Sequence, residues 1–301
     1  NTTGAYITAI GNDALISNTS GNHSVAIGRY ALRASTNASN NVAVGNEALR
    51  ANTTGLQNTA VGHAALDAST TASHNTAMGY VSLGAVTTGG GNTALGRASA
   101  NAITTGVNHT LIGSSTGASL IAGVGSTIVG HACNVTTTNA SYAMALGYNL
   151  SAEAGYTTLG ANASDIRASH GSVTWAAVSD RRYKKDIVDS TAGLAFVNAL
   201  RPRTFKYKTL GELPETFSAY EAGSTEVFKN SETNHGFIAQ EIKAAIDADD
   251  SIKDGFRLWD ERDDGSQEVA EAALIPVLVK AVQELSTQLN AALARIETLE
   301  G

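Results

Sequence analysis

The sequence predicts a mainly β solenoid of 17-residue coils over residues 1–165, then an α+β region ending in a long coiled-coil helix. Three observations predict this. A small–apolar–Gly motif recurs at a fixed spacing, the charge composition changes abruptly along the chain, and a heptad pattern occupies about 271–300. The 301 residues have room for about two domains. Residues 1–165 hold four arginines, no lysine and five acids (Asp13, Glu47, Asp67, Glu153, Asp165). The remainder holds 16 basic and 22 acidic side chains, and with them all three prolines, every Phe and both Trp.

Composition excludes several classes. No run approaches the roughly 18–20 apolar residues of a membrane span, and the N-terminus lacks a signal-peptide pattern. A net charge of −7 without a basic stripe argues against a nucleic-acid partner. The single Cys133 cannot form an intrachain disulfide. Because the chain begins within patterned sequence, a fragment of a longer protein is expected.

The motif ends at Gly11, Gly28, Gly45, Gly62, Gly79, Gly96, Gly113, Gly130 and Gly147, each 17 residues after the last, and once more at Gly160, 13 residues on. Gly- and Asn-rich low-complexity sequence usually reads as disorder, but a disordered chain has no reason to keep register, whereas a solenoid must. The residue before each Gly is a sizeable apolar one, from Ile10 to Leu159, and two before it stands Ala in seven of ten copies. A second apolar pair follows (Ala14–Leu15, Ala31–Leu32, Ala48–Leu49, Ala65–Leu66). This reads as two short strands per coil, with Gly at the bend. Asn41, Asn58, Asn75 and Asn92 share one column and predict a ladder of side-chain hydrogen bonds, roughly 4.8 Å per rung. So small a coil buries little, and its Ala column offers a close approach to another chain. Three chains side by side are expected.

Histidines suggest a metal, but His63 and His131 are four coils apart, roughly 19 Å, and His23 and His74 three coils. Neither pair can chelate one ion, so no metal and no cofactor are expected. Cys133 replaces an Ala of its column and reads as a small buried residue. Tyr30, Tyr80 and Tyr148 are candidates for stacking on sugars or for ordinary column residues. The repeats, over about residues 5–165, resemble the head repeats of trimeric bacterial adhesins, also met in phage tail fibres. That resemblance implies a left-handed parallel β-roll of three chains.

Residues 166–178 lack the repeat and read as a connector. Then follow SDRRYKKDI at 179–187, LAFVNALRPRTFKYK at 194–208, HGFIAQEI at 235–242 and the final heptads. In this order they resemble the C-terminal intramolecular chaperone, or auto-processing, domain of phage tail spikes and fibres of the endosialidase type, over residues 179–301. Ser179, Asp180, Arg182, Lys184 and Ile187 match the opening motif. Leu200, Pro202, Phe205 and Tyr207 match the second, and Gly236, Ala239, Gln240 and Glu241 the third. The Tyr usual before the last helix is absent, with Ala272 and Ala273 in its place.

The resemblance implies self-cleavage after Ser179, with Ser179 as nucleophile, Lys184 as its base, and His235 and Gln240 in support. A lysine serves as base if desolvation or nearby cations such as Arg181, Arg182 and Lys185 depress its pKa. For a cut between Ser179 and Asp180, the Ser179 hydroxyl would reach its own carbonyl only through a four-membered ring. Three routes remain open. The Asp180 carboxylate attacks the Ser179 carbonyl through a six-membered ring, Ser179 attacks the Val178 carbonyl and moves the cut, or a serine arrives from a neighbouring chain.

The last helix places Ile275, Val282, Leu289 and Ile296 at positions a, and Leu278, Leu285, Ala292 and Leu299 at positions d. Mixed aliphatics at both positions suit a parallel two- or three-stranded seam. The acidic stretch between Ala244 and Gln267 reads as a solvated loop without the spacing of a calcium loop. Together these features predict the distal part of a homotrimeric phage tail fibre or spike. It would sit in the virion, with a host-surface glycan or other envelope component as partner. The alternative is a bacterial trimeric surface adhesin or a non-processed structural fibre. A glycan-cleaving spike needs paired carboxylates in a cleft, and the five scattered acids of residues 1–165 do not supply them.

Overall fold

The computed structural model describes residues 2–162, 164–172, 174–177, 179–250, 252–253 and 256–300. Two compact units are present, Asn1–Tyr183 and Lys184–Gly301.

The first unit is a β-solenoid. Each coil contributes one three-residue strand: β1 (Thr8–Ile10), β2 (Val25–Ile27), β3 (Val42–Val44), β4 (Thr59–Val61), β5 (Thr76–Met78), β6 (Thr93–Leu95) and β7 (Thr110–Ile112). They pair in parallel and in register, with Ala26 beside Ala43 and Ala43 beside Ala60. The two strands expected per coil reduce to one, because Leu15, Leu32, Leu49, Leu66 and Leu83 take left-handed backbone near φ +50°. A residue in that region cannot continue a strand, so the second apolar pair lies in a turn.

The Ala column does not face another chain, contrary to expectation. Ala26, Ala43, Ala60 and Ala77 are completely buried inside the chain's own coil. Leu32, Leu49, Leu66 and Leu83 are buried in the same continuous core. These leucines supply the bulk of a narrow interior, which leaves room for only a methyl on the strand. The exception supports this. Leu111 replaces the strand Ala, and the position equivalent to the turn Leu becomes Gly117, whose missing Cβ would run into the Leu111 Cδ2. Strand alternation therefore turns the residues before each Gly outward. Ile10, Ile27, Met78, Leu95, Ile112 and Leu146 are all exposed.

The motif glycine is fixed by two constraints at once. Gly11 has φ +129°, and a Cβ there would lie 2.6 Å from the Gly28 carbonyl oxygen. The same close approach repeats coil after coil. Side chains bind the coils as well. The Thr19 hydroxyl donates to the Thr36 carbonyl at 2.9 Å, and Thr53 to Thr70 at 3.0 Å. The expected Asn ladder is present: the Asn58 amide N–H donates to Asn41 Oδ1 at 2.9 Å, and that of Asn75 to Asn58 Oδ1 at 3.0 Å.

The coil changes near its C-terminal end. β8 (Thr127–His131), β10 (Met144–Tyr148) and β12 (Tyr156–Ala161) lengthen, while β9 (Asn134–Val135) and β11 (Ser151–Ala152) form a second short ladder. The sheet then reverses. β13 (Ser164–Ser169) pairs antiparallel with β12, and β14 (Ala176–Ala177) with β13.

The second unit packs small elements around one core. α1 (Leu194–Ala199), β15 (Arg203–Phe205), β16 (Asn234–Gly236), α2 (Ala239–Asp247), β17 (Trp259–Glu261), β18 (Gln267–Val269) and α3 (Leu274–Glu300) follow in order. Phe196, Ile242, Ile246, Leu258, Leu274 and Val277 are buried together, with Phe256 edge-on to Phe196 at 5.7 Å. The stretch between Ala244 and Gln267, expected to be a loop, contains regular structure. Its start completes α2, where Ile246 is anchored in the core, and its end forms one arm of the β17–β18 hairpin. Among the described residues no helix is long and apolar enough to cross a membrane.

Two substitutions test the coil. Gly62→Ala places a methyl 2.7 Å from the Gly79 carbonyl carbon and should lower stability by more than about 2 kcal/mol. Ser69 is buried and its hydroxyl has no hydrogen-bond partner. Its column holds Val86, Ile103 and Leu120 in later coils, so Ser69→Ala should raise stability by about 1 kcal/mol. Denaturant melts of the full chain measure both.

Candidate functional site

Ser179 and Asp180 lie in the last residues of the first unit and Lys184 opens the second; both Ser179 and Lys184 are solvent-exposed. Asp180 precedes a 3-10 turn, Arg181–Tyr183, and its side chain organises that turn. Asp180 Oδ1 accepts the Arg182 backbone N–H at 2.8 Å, and Oδ2 accepts Arg182 Nη2 at 2.6 Å. The Arg182 guanidinium, with the backbone N–H second, holds the Asp180 carboxyl below the usual carboxylate range. Both oxygens are therefore engaged on the C-terminal side, and attack on the Ser179 carbonyl requires this fork to open. Val178, whose carbonyl serves the second route, lies outside the described residues.

His235 and Gln240 belong to the second unit. His235 is the middle residue of β16, opposite Thr204 of β15, and Gln240 lies in the first turn of α2. Both line one groove of about 780 Å³, whose apolar lining includes Phe205, Tyr207 and Phe228. On its rim, Asp264 accepts the Ser218 backbone N–H and interactions from Ser266, and the first of these contributes most to holding its pKa far below the ordinary range.

The second and third motifs meet physically. Besides the β15–β16 pairing, Arg203 Nε donates to Glu241 Oε2 at 2.9 Å, and Arg201 stands 3.8 Å from Glu241. The Arg203 contact lowers the Glu241 pKa. Glu241 follows Gln240 directly, so the pair fixes the start of α2 and the place of Gln240 on the groove. The sequence carried this partnership only as two separate motif letters, since nothing in spacing alone joins positions 203 and 241.

α3 has two faces. Leu274, Val277 and Ala281 are buried against the unit's own core, and Glu284 Oε2 accepts the Leu194 N–H at 2.8 Å at the start of α1. The adjoining stripe, which continues along the helix beyond that core, carries Ile275, Leu278, Val282, Leu285, Leu289, Ala292, Ile296 and Leu299, all exposed in the single chain.

In the first unit, three of the histidines weighed as ligands stack on tyrosines instead. His23 lies 4.8 Å from Tyr6, His63 5.3 Å from Tyr80 and His131 5.3 Å from Tyr148, ring centre to ring centre. Tyr30 is half-buried beneath Arg29 and Arg33, while Tyr80 and Tyr148 are exposed.

The chain thus joins a repeat solenoid to a small charged α+β unit with a long, half-bare helix. Residues 179–250 match the family model described as chaperone of endosialidase. With the solenoid before it, the chain fits a tail fibre of the endosialidase-chaperone type. No curated protein and no solved structure matches the chain.

The Arg203–Glu241 pair has a pH signature. A carboxyl whose folded pKa is depressed contributes stability above its ordinary value near 4.5, and that contribution is lost as pH falls through the folded pKa. Glu241→Gln should therefore flatten the acid loss of C-terminal-unit structure below pH 4.5, followed by circular dichroism across a pH series.

Proposed function

We propose that this chain is the distal part of a homotrimeric phage tail fibre or spike. Its solenoid presents a host-attachment surface, and its C-terminal domain brings three chains into register and is then released at Ser179–Asp180. The observation that carries the proposal is the bare apolar face of α3. Leucines, isoleucines and valines at a and d positions, 46–84 % exposed, are costly in water and suit a parallel seam of identical helices. The outward row on the solenoid from Ile10 to Leu146 gives the same protomers a second apolar surface.

The order of events follows from polymer physics. Laying three β-coils in common register incurs a large loss of chain entropy before any contact rewards it. A helix forms locally and quickly, so a C-terminal seam aligns the chains before the coils stack. Cutting the seam away afterwards removes the device that made refolding possible, and stability becomes kinetic.

For a cut at Ser179–Asp180, Ser179 is the nucleophile only when its hydroxyl comes from a neighbouring chain, since within one chain the ring would have four members; Lys184 is its base, with His235 and Gln240 as supporting groups. Asp180 is the competing attacking group. Lys184 is exposed in the single chain. Burial of this junction between neighbouring chains would tie cleavage to assembly. The host partner is a surface glycan or other envelope component, for which exposed Tyr80 and Tyr148 are candidate platforms.

Sedimentation of the purified chain should give three times the mass of one protomer, and Leu285→Asp should give monomers or aggregates. A folded monomer near 31 kDa would overturn the trimer. Denaturing gels with mass spectrometry should show fragments meeting at Ser179/Asp180, absent in Ser179→Ala and in Lys184→Met. Loss of cleavage in Asp180→Asn, with Ser179→Ala still active, would instead assign attack to Asp180. A chain that assembles and stays whole would leave a structural fibre with an unprocessed folding domain.

A further inference from the structure

The Asn column of the solenoid does not end at Asn92. Each rung accepts one backbone N–H from the next coil and donates to a carbonyl there. Asn75 accepts from the Asn92 N–H at 2.9 Å through Oδ1 and donates through Nδ2 to the Gly89 carbonyl at 3.0 Å. Asn92 likewise accepts from the His109 N–H at 3.0 Å and donates to the Gly106 carbonyl at 2.8 Å. The following rung is His109, completely buried. The Ser126 N–H donates to its Nδ1 at 3.0 Å, and its Nε2 lies 3.1 Å from the Gly123 carbonyl. Ser126 then continues the column, with its hydroxyl accepting from Ala143 and donating to Ala140.

The imidazole thus stands in for a carboxamide. A backbone N–H can only donate, so Nδ1 must carry a lone pair, and the ring proton sits on Nε2, facing the Gly123 carbonyl. The neutral Nε2–H tautomer satisfies both partners. The imidazolium cannot, because a proton on Nδ1 would oppose the Ser126 N–H, donor against donor, in a site without solvent. Space is also committed: a Cβ on Gly106 would lie 2.7 Å from Nε2. The ring's own partners, Asn92, Gly123 and Ser126, carry no titratable group. On the adjoining coils Arg97 and His131 are exposed, Tyr142 is 60 % exposed, and the buried Cys133 thiol turns to the Gly147 carbonyl. Among the described residues no acid forms a hydrogen bond or ion pair with the ring.

We propose that His109 is an acid-sensitive rung: once protonated, the ring must leave the ladder, so in acid the coil of β7 and the coil of β8 come apart at this level first. Burial, opposed in part by the Gly123 carbonyl, already lowers the His109 pKa in the folded chain. The sign follows. With the folded pKa below the unfolded value of 6.5, the stabilisation is complete above pH 6.5 and is lost as pH falls toward the folded pKa, because the unfolded chain takes up the proton first. An Asn at the same rung gives the same hydrogen bonds without a proton to gain.

The test compares denaturant unfolding of the full chain and of His109→Asn between pH 7.5 and 5. The unfolding equilibrium constant of the parent should rise, relative to the variant, by up to about tenfold per pH unit below 6.5. Parallel pH dependences would overturn the proposal. Nitrogen NMR of histidine-labelled parent chain gives a second readout that needs no variant. It should show His109 with an unprotonated Nδ1 at pH 7 and still neutral below pH 6.5. A resonance titrating near 6.5, or a proton on Nδ1, would overturn it as well. Gly106→Ala should destabilise the parent strongly and the His109→Asn background less, since the clash is with the ring.

Discussion

The first unit depends on one constraint: each coil's backbone and side-chain donors must find acceptors in the coil stacked on it. A 17-residue loop has too small a perimeter to satisfy its own peptide groups, so N–H and C=O pair between coils, from Thr19 to Thr36, Gly28 to Ile10 and Leu32 to Ala48. An unpaired buried peptide group costs about as much as several methylenes of burial gain. Insertions are therefore tolerated only where a whole rung can be rebuilt. The fixed period, the motif glycines and the Asn and Thr ladders are consequences of that one demand.

The interior follows from the same narrowness. With the coils held close, strand Ala and turn Leu fill one volume between them, and Leu111 with Gly117 exchanges their sizes. Charge is excluded because nothing inside could pair with it, which explains four arginines and five acids in 165 residues, all of them outside the core. The second unit is built by the opposite logic. A modest apolar core is joined by polar clasps, Arg203 to Glu241 and Glu284 to the start of α1, that hold short elements in place.

Much of this was legible in the sequence because repetition multiplies a weak signal. One VAIG means little, but nine in register specify coils, and Asn41 to Asn92 specify the ladder. The direction of the strand was not legible. Alternation says that Ala and Ile face opposite sides, not which side is the core, and small Ala suggested the contact face. Volume decides it, once Leu32 and its equivalents are placed inside. The left-handed turn that cancels the second strand was hidden because Leu is an unusual residue at positive φ. His109 was missed because a single substitution within a column looks like decay of the repeat. At the junction, the motif letters located Ser179, Asp180 and Lys184, but the Asp180–Arg182 fork is a rotamer matter that spacing does not encode.

The reversal at the end of the solenoid has a consequence for length. Along the main sheet, from β1 through β8 and β10 to β12, each strand offers the next a parallel template, so a stack of this kind has no intrinsic reason to stop. The hairpin of β12 and β13 presents a strand of opposite polarity instead, and β14 leaves an edge only two residues long. A further parallel coil finds no matching pattern of donors and acceptors there. The stack is ended on this side from within its own sequence, by the polarity of one strand.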